Sequence, residues 1–304
     1  MNKNLIADYI RRYYRAAIAP NLPSPPALST DSVASLTATG IGDSLMLTDL
    51  PEASKDIGLV HVWAGCPAFD EVMKFHPSYH HRPNRGARSC FLIDILHFRD
   101  RYNLGPGHLL QQLRRAWRLP VSAKPMPVLR CDVPKIKNRV LLHFEPSLLS
   151  SARQRQLFHR RMRELYPESK LEIEAFIRSR PGFEFIEVGL QSKNIHGARF
   201  EPTASIPDLV KLVASSEWFI GIMSGPLNIA MATGVKCIVI CNYPAANKIV
   251  LPCLKKTGEQ EEEWCYPQNV HLHQEDESFL VPKLSAYSLA AAFGGDVYPF
   301  WEDS

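Results

Sequence analysis

The chain has no apolar run approaching the ~18 residues needed to cross a bilayer. Its first residues show neither an apolar h-region nor a small-residue cleavage site, so no secretory signal is expected there. The seven cysteines include no Cys-x-x-Cys pair. An odd, scattered set argues against a disulfide framework and for reduced thiols, and so predicts a cytoplasmic setting. A nicotinamide-binding turn is also missing: Gly40-Ile41-Gly42 is followed by Leu45 where the third glycine of Gly-x-Gly-x-x-Gly would stand. There is no basic-aromatic stripe, and a formal charge of +4 is too small to mark a dedicated nucleic-acid binder.

What is present is the composition of a soluble globular protein, with 45% hydrophobic and 22% charged residues. At 304 residues the chain exceeds what one compact core usually holds, so two domains are expected. Charge divides unevenly between the halves. Residues 1–135 carry 17 Lys and Arg against 11 Asp and Glu, and residues 136–304 carry 18 against 20. A mildly basic first half suits an acidic acceptor or an anionic surface, or serves only solubility.

The most informative stretch runs from Phe219 to Ile240. Trp218 to Ile222 reads as a strand, Ser224-Gly225-Pro226 as a tight loop, and the residues up to Gly234 as a helix. Pro226 falls where a first helical turn tolerates proline, since that N–H has no intrahelical partner. Val235 to Ile240 is apolar enough to be a strand buried on both faces. Such a βαβ unit sets a helix N-terminus at the carboxyl edge of a parallel sheet, which is a place for a phosphate.

The same alternation recurs throughout. Residues 4–19 predict an amphipathic helix with Leu5, Ile6, Tyr9, Ile10, Tyr13 and Ala17 on one stripe. That helix either docks on protein or, as a basic segment, rests on a membrane surface. A Pro-rich break follows at residues 21–26, then strands over Ser32–Thr37, Gly58–Trp63 and Ser89–Ile95. A helix is expected from near Leu45, and another from His108 to about Arg118. Four prolines between Pro120 and Pro134 predict an extended connection. Beyond it come a strand at Arg139–Phe144, a basic helix at Ala152–Tyr166, a helical turn or two at Glu172–Arg178, and a strand at Phe183–Val188. A helix over Ile206–Ser215 is opened by Ser205, and a polar excursion fills Asn242–Gln268. A strand at Asn269–His273 and a helix near Ser285–Ala292 complete the pattern. Helices alternating with strands in both halves predict two doubly wound α/β units. The expected boundaries are 1–28 for helix and linker, 29–135 for the first α/β domain and 136–304 for the second, with its terminal helix.

Two motifs carry a resemblance. Thr39-Gly40-Ile41-Gly42-Asp43-Ser44-Leu45 is similar to the glycine-aspartate loop of the ADP-heptose:lipopolysaccharide heptosyltransferases. Ser205-Ile206-Pro207-Asp208-Leu209, with Ser224-Gly225-Pro226-Leu227-Asn228-Ile229-Ala230, looks like that family's helix and small-residue donor loop. A weaker likeness, at Gly105-Pro106-Gly107-His108 and Trp264-Cys265-Tyr266-Pro267, is to bacterial heptosyltransferases that modify autotransporter proteins. The chain departs from the family pattern at Met223, where aspartate is usual, and at Asn228, where histidine is usual.

The resemblance implies a GT-B-like α/β fold, two Rossmann-type domains facing across a cleft. It implies a metal-independent, inverting glycosyltransferase of envelope glycan or protein glycosylation, with a sugar nucleotide, ADP-linked by preference, as donor. Asp43 would be the base, or else a cap for a helix beginning at Ser44 or Leu45. Ser224, Gly225, Pro226, Leu227 and Asn228 would form the donor loop, with Ser224 and the amides of Gly225 and Leu227 meeting the leaving diphosphate and Gly42 of the glycine-aspartate loop adding to the binding site. Ser147 and Arg153 would hold the pyrophosphate, although Arg153 also fits a solvated basic helix face. The loop opening at Gly189 would meet the base.

No cofactor and no structural metal are expected, although Cys241, Cys253, Cys265, His271 and His273 share one excursion where the autotransporter enzymes hold iron. His76, His80 and His81 could form another metal cluster, but on a loop they are expected to be solvated or against an acceptor phosphate, and His108, capping a glycine-flanked helix start, is expected on the surface or facing the cleft. Expected partners are the sugar nucleotide and a glycan, lipid-linked or protein acceptor, without nucleic acid and with at most peripheral membrane contact. A homo-oligomer is compatible with this reading. The alternative is a GT-B module that binds a sugar nucleotide without turnover, since Met223 cannot position donor hydroxyls as aspartate does.

Overall fold

The computed structural model describes residues 32–36, 41–46, 48–54, 61–64, 67–77, 89–93, 108–116, 119–122, 124–145, 165–241, 266, 268–274 and 283–295. The helix expected over 4–19, the Pro-rich stretch 21–26, nearly all of the basic helix expected over 152–166 and most of the excursion 242–268 lie outside the described residues.

Two parallel sheets are formed. In the first, β1 (Ser32–Leu36) lies between β2 (His61–Ala64) and β3 (Ser89–Ile93), with Leu36 opposite both Ala64 and Ile93. Parallel neighbours need crossovers, and helices supply them. Those of this half are α1 (Ile41–Met46), α2 (Asp49–Ala53) and α3 (Pro67–Met73), with α4 (Leu109–Ala116) following β3. The first helix opens four residues before the Leu45 expected from sequence, so the glycine-aspartate stretch is helix rather than loop. Among the described residues of 119–138 there is neither helix nor strand, in line with four prolines in this stretch. This connection is laced to both halves: Val128 N–H donates to Thr48 Oγ1 at 2.7 Å, and Ile136 N–H to the Ser215 carbonyl at 2.8 Å.

The second sheet has six parallel strands in the order β6-β5-β4-β7-β8-β9. They are β4 (Arg139–His143), β5 (Glu184–Gly189), β6 (Arg199–Pro202), β7 (Trp218–Ile222), β8 (Lys236–Cys241) and β9 (Val270–His273). The strands step outward from β4 to β6, then return to build β7, β8 and β9 on the other side. That is the doubly wound order, with its reversal between β4 and β7. The edge strand β6 was not expected, because Arg-Phe-Glu-Pro lacks both an apolar run and a clean alternation. The helices are α5 (Pro167–Arg178), α6 (Ile206–Ser215), α7 (Gly225–Ala232) and α8 (Ala286–Gly294). The α5 helix runs three turns instead of one or two, started by a proline in its first turn with Glu168 beside the positive end.

Local chemistry sets several helix ends. Ser205 Oγ accepts the Asp208 N–H at 3.2 Å and opens α6, as the sequence predicts. Ser285 and Ser288 form a reciprocal capping box at α8. Gly234, at φ +67°, lets the chain leave α7 in a left-handed turn.

Core packing divides by sheet face. On one face Val140, Leu142, Ile220, Ile238 and Leu272 meet Ile173 and Phe176 of α5 and Leu289 of α8. On the other, Leu141, Phe219 and Val239 meet α6 and α7. That second core continues without a break into Leu45 and Met46 of α1, Leu50 of α2, Met73 of α3 and Leu110 and Leu113 of α4. The first half therefore buries its apolar side chains against helices of the second. Each fully buried aliphatic side chain stabilises by about 1.5–3 kcal/mol, so the halves are strongly coupled.

Candidate functional site

The β7 strand ends at Ile222, beside the reversal of the six-stranded sheet, and the chain turns through Met223 and Ser224 into α7. A crevice at the carboxyl ends of the strands is the usual ligand position of such sheets. The close approach of β4 to β7 is fixed by Gly221: a Cβ there would run into the His143 carbonyl oxygen. Ser224 is the N-cap residue of α7, with extended backbone at φ −159° and ψ 172°. An N-cap serine ordinarily accepts a hydrogen bond from an N–H of the first turn. This one does not, and its buried Oγ has no hydrogen-bond partner. The helix itself is apolar on all sides, buried from Pro226 to Ala232, with Leu227 in the shared core. Pro226 has no N–H, and an α-helix gives the first-turn N–H groups of Gly225 and Leu227 no internal partner.

Opposite this turn stands the opening of α1. A Cβ at Gly42 would lie 2.9 Å from Asn228 Nδ2 and 3.8 Å from the Gly225 Cα. A Cβ at Gly225 would lie 3.1 Å from the Ile41 Cβ. Two helix openings, each at the carboxyl edge of its own sheet, thus meet at their glycines. The first sheet, in the order β2-β1-β3, also reverses at β1, the strand that leads into α1. Asp43 is the third residue of α1, so the alternative that it caps a helix beginning at Ser44 or Leu45 is removed. Its backbone is one residue from the Gly42 contact, and its side chain lies outside the described atoms.

Asn228 is fixed at both ends of its amide. Nδ2 donates to the Ser224 carbonyl at 3.0 Å, and Oδ1 accepts from the Tyr266 hydroxyl. The same hydroxyl lies 3.6 Å from Met46 Sδ in α1. The Tyr266 ring is stacked on His108, with centroids 4.4 Å apart. Burial pushes the Tyr266 phenol well above its ordinary value. The expectation of a surface or cleft-facing His108 is corrected, since only 2% of the residue is exposed. Its Nδ1 accepts the Leu110 N–H at 3.2 Å, and its own N–H donates to Gln111 Oε1 at 2.9 Å, a reciprocal cap on α4. Burial lowers the imidazole to about pKa 3, so it is neutral at pH 7. Nε2, which carries the proton when Nδ1 accepts, has no hydrogen-bond partner.

Gly189 is at the carboxyl end of β5, two strand positions from β7 and so about 10 Å from the donor turn. A Cβ at Gly189 would lie 2.6 Å from Glu145 Oε2. That carboxylate accepts the N–H groups of Leu190 and, at 3.4 Å, Gln191, so it shapes the loop expected to meet the base. Ser147 and Arg153 lie outside the described residues, as do His80, His81, Cys253 and Cys265 and the Cys241 side chain. His76 is not solvated as expected: it is buried, with Nε2 at 2.8 Å from the Thr48 carbonyl. His271 and His273 are buried on β9, and no group of three metal-ligating side chains occurs among the described residues. Of the sequence candidates, Gly42, Ser224, Gly225 and Asn228 are brought together. Tyr266, part of the Trp264–Pro267 likeness, and Glu145 join the candidate site although the sequence gives neither a role there, because neither belongs to a periodic element.

No protein-family model matches the chain, nor does any curated protein. Solved structures do. A glycosyl transferase family 9 structure from Veillonella parvula is 10% identical, with a TM-score of 0.50, covering 88% of this chain and 98% of its own. The iron-containing dodecameric glycosyltransferase TibC from enterotoxigenic Escherichia coli is 13% identical, with a TM-score of 0.49. The match covers 70% of this chain and 58% of TibC, so the chain spans less than two thirds of that protein. The E. coli heptosyltransferase WaaC with ADP-2-deoxy-2-fluoro heptose is 8% identical, with a TM-score of 0.48, covering 88% of this chain and all of its own. The α/β fold expected from the two glycine motifs is thus the fold of a family 9 glycosyltransferase structure.

Proposed function

We propose that the chain is a glycosyltransferase that moves a heptose-like sugar from a nucleoside-diphosphate donor, ADP-linked by preference, to an acceptor hydroxyl of an envelope glycan or glycoprotein. The observation that carries this reading is the meeting of α1 and α7 at Gly42, Gly225 and Asn228, each helix opening at the reversal of its own sheet. The uncapped start of α7 and the orphaned Ser224 hydroxyl support the same reading, because both lack a partner that a diphosphate would supply.

In this reading Asp43 takes the proton of the acceptor hydroxyl as that oxygen bonds to the anomeric carbon. The bond from that carbon to the donor phosphate oxygen breaks, and its electron pair leaves on the diphosphate. Amides of Gly225 and Leu227, the Ser224 hydroxyl, Ser147 and Arg153 take up the charge, and a single displacement inverts the anomeric centre. No metal is assigned a role. Among the described residues no helix is long and apolar enough to cross a membrane. The proposed setting is the cytoplasm, with at most peripheral membrane contact.

Titration with ADP and UDP, followed by transfer assays over a panel of sugar nucleotides, tests the reading. Asp43→Asn should lower the transfer rate by about 10²–10⁴-fold while leaving the ADP Kd within about twofold. Wild-type protein that binds no nucleoside diphosphate would sink it. A second reading, a binding module without turnover, is favoured by Met223, which packs against the core where the resembling family has a polar aspartate. Nucleotide binding with no transfer from any donor selects that reading.

A further inference from the structure

Tyr266 has an unusual placement for a residue of a polar excursion: it is 1% exposed and touches both halves of the molecule. Its carbonyl accepts the Asn269 N–H at 3.0 Å, which ties its main chain to the start of β9. From there its ring reaches His108 and its hydroxyl reaches Met46 and Asn228. A phenol has one proton, and the amide oxygen Asn228 Oδ1 is a much stronger acceptor for it than the Met46 thioether. That bond orients the amide, because the reverse orientation would set Oδ1 against the Ser224 carbonyl. Asn228 is only 7% exposed, so water does not replace a lost partner.

We propose that Tyr266 is a positioning residue for the donor turn: through Asn228 it holds the Ser224 main chain, and through Met46 and His108 it registers that turn against α1 and α4. The proposal rests on the glycosyltransferase reading and adds a residue to it. The tyrosine does not touch the donor in this account. It sets the spacing between the helix that grips the diphosphate and the helix that carries Asp43.

The test is a double-mutant cycle read by ADP titration and thermal unfolding. Tyr266→Phe keeps the ring and its stack on His108 but removes the hydroxyl, and should raise the ADP Kd about tenfold. Asn228→Leu should weaken ADP binding as much, and adding Tyr266→Phe to it should change the Kd no further, because the relay is already cut. The double variant, with neither polar partner left buried alone, should regain wild-type thermal stability without regaining affinity. That split separates positioning from simple packing. An unchanged Kd in Tyr266→Phe, additive losses in the cycle, or recovery of affinity with stability overturns the proposal. If Tyr266→Phe alone does not fold, Asn228→Leu against the double variant decides it. A wild type that binds neither ADP nor UDP overturns the glycosyltransferase reading and this proposal together, whereas normal wild-type binding with insensitive variants overturns the proposal alone.

Discussion

The two sheets are supported differently. The six-stranded sheet is covered on both faces: α5 and α8 pack on one, α6 and α7 on the other. The described helices of the first half have no separate core of their own, since Leu45, Leu50, Met73 and Leu110 join the cluster already built on α6 and α7. The second half is therefore a frame, and the first half is mounted on it at α7, the helix that opens the candidate donor turn. Stability and function meet at one seam, so a change that loosens the mounting should disturb the turn before it disturbs the frame.

Three perturbations test that contrast. The largest is confined to the first half, where Arg114 forks onto the buried Asp49 carboxylate, with Nε at 2.6 Å from Oδ2. Asp49→Ala leaves a half-buried guanidinium without its partner and should cost about 3 kcal/mol. Amide exchange should then show α4 opening while β4 and β7 stay protected. Equal loss of protection in both sheets would show that the halves unfold as one unit.

Acid addresses the seam itself. An unfolded chain protonates His108 at its ordinary value near 6.5, and the folded chain only near 3. The neutral form's stability is therefore complete above about pH 6.5 and is lost as the pH falls toward 3, by roughly 3 kcal/mol at pH 4. Urea midpoints of wild type and His108→Phe should converge as the pH falls across this window. Parallel pH profiles would mean that His108 is not held neutral at the seam. The smallest effect belongs to the frame: Ser205→Ala removes the α6 cap and should cost about 1 kcal/mol. Chemical denaturation should show one unchanged cooperative transition shifted by that amount, with no first-half opening.

Legibility followed burial. The β7, α7 and β8 unit could be read because its strands are buried on both faces and are consequently continuous runs of Ile, Val and Phe, with a proline and a glycine marking the helix ends. The start of α1 was misplaced because two glycines in a row of small residues look like a loop. Position 42 is glycine although it is helical because Asn228 leaves little room for a side chain, a constraint from 186 residues away that no local pattern carries. The edge strand β6 was missed for the opposite reason: a strand at a sheet edge, ending in proline, needs no apolar run. The burial of His108 and His76 is not legible either, since a lone polar residue gives no sign of being covered by a distant segment. Tyr266 belongs to the Trp264–Pro267 likeness, but one aromatic in a polar stretch gives no sign that it is buried against Met46, His108 and Asn228.

Residue pattern is enough for the alternation of helix and strand, the small-residue turn before α7 and the caps at Ser205 and Gly234, because each depends on periodicity or on the dihedral preference of a single residue. It takes the packed chain to set Gly42 against Asn228, to mount the first half on α7 and to stretch Tyr266 across the seam. Those contacts join segments tens to hundreds of residues apart, and short-range preference has no hold on which distant surfaces fill the same space.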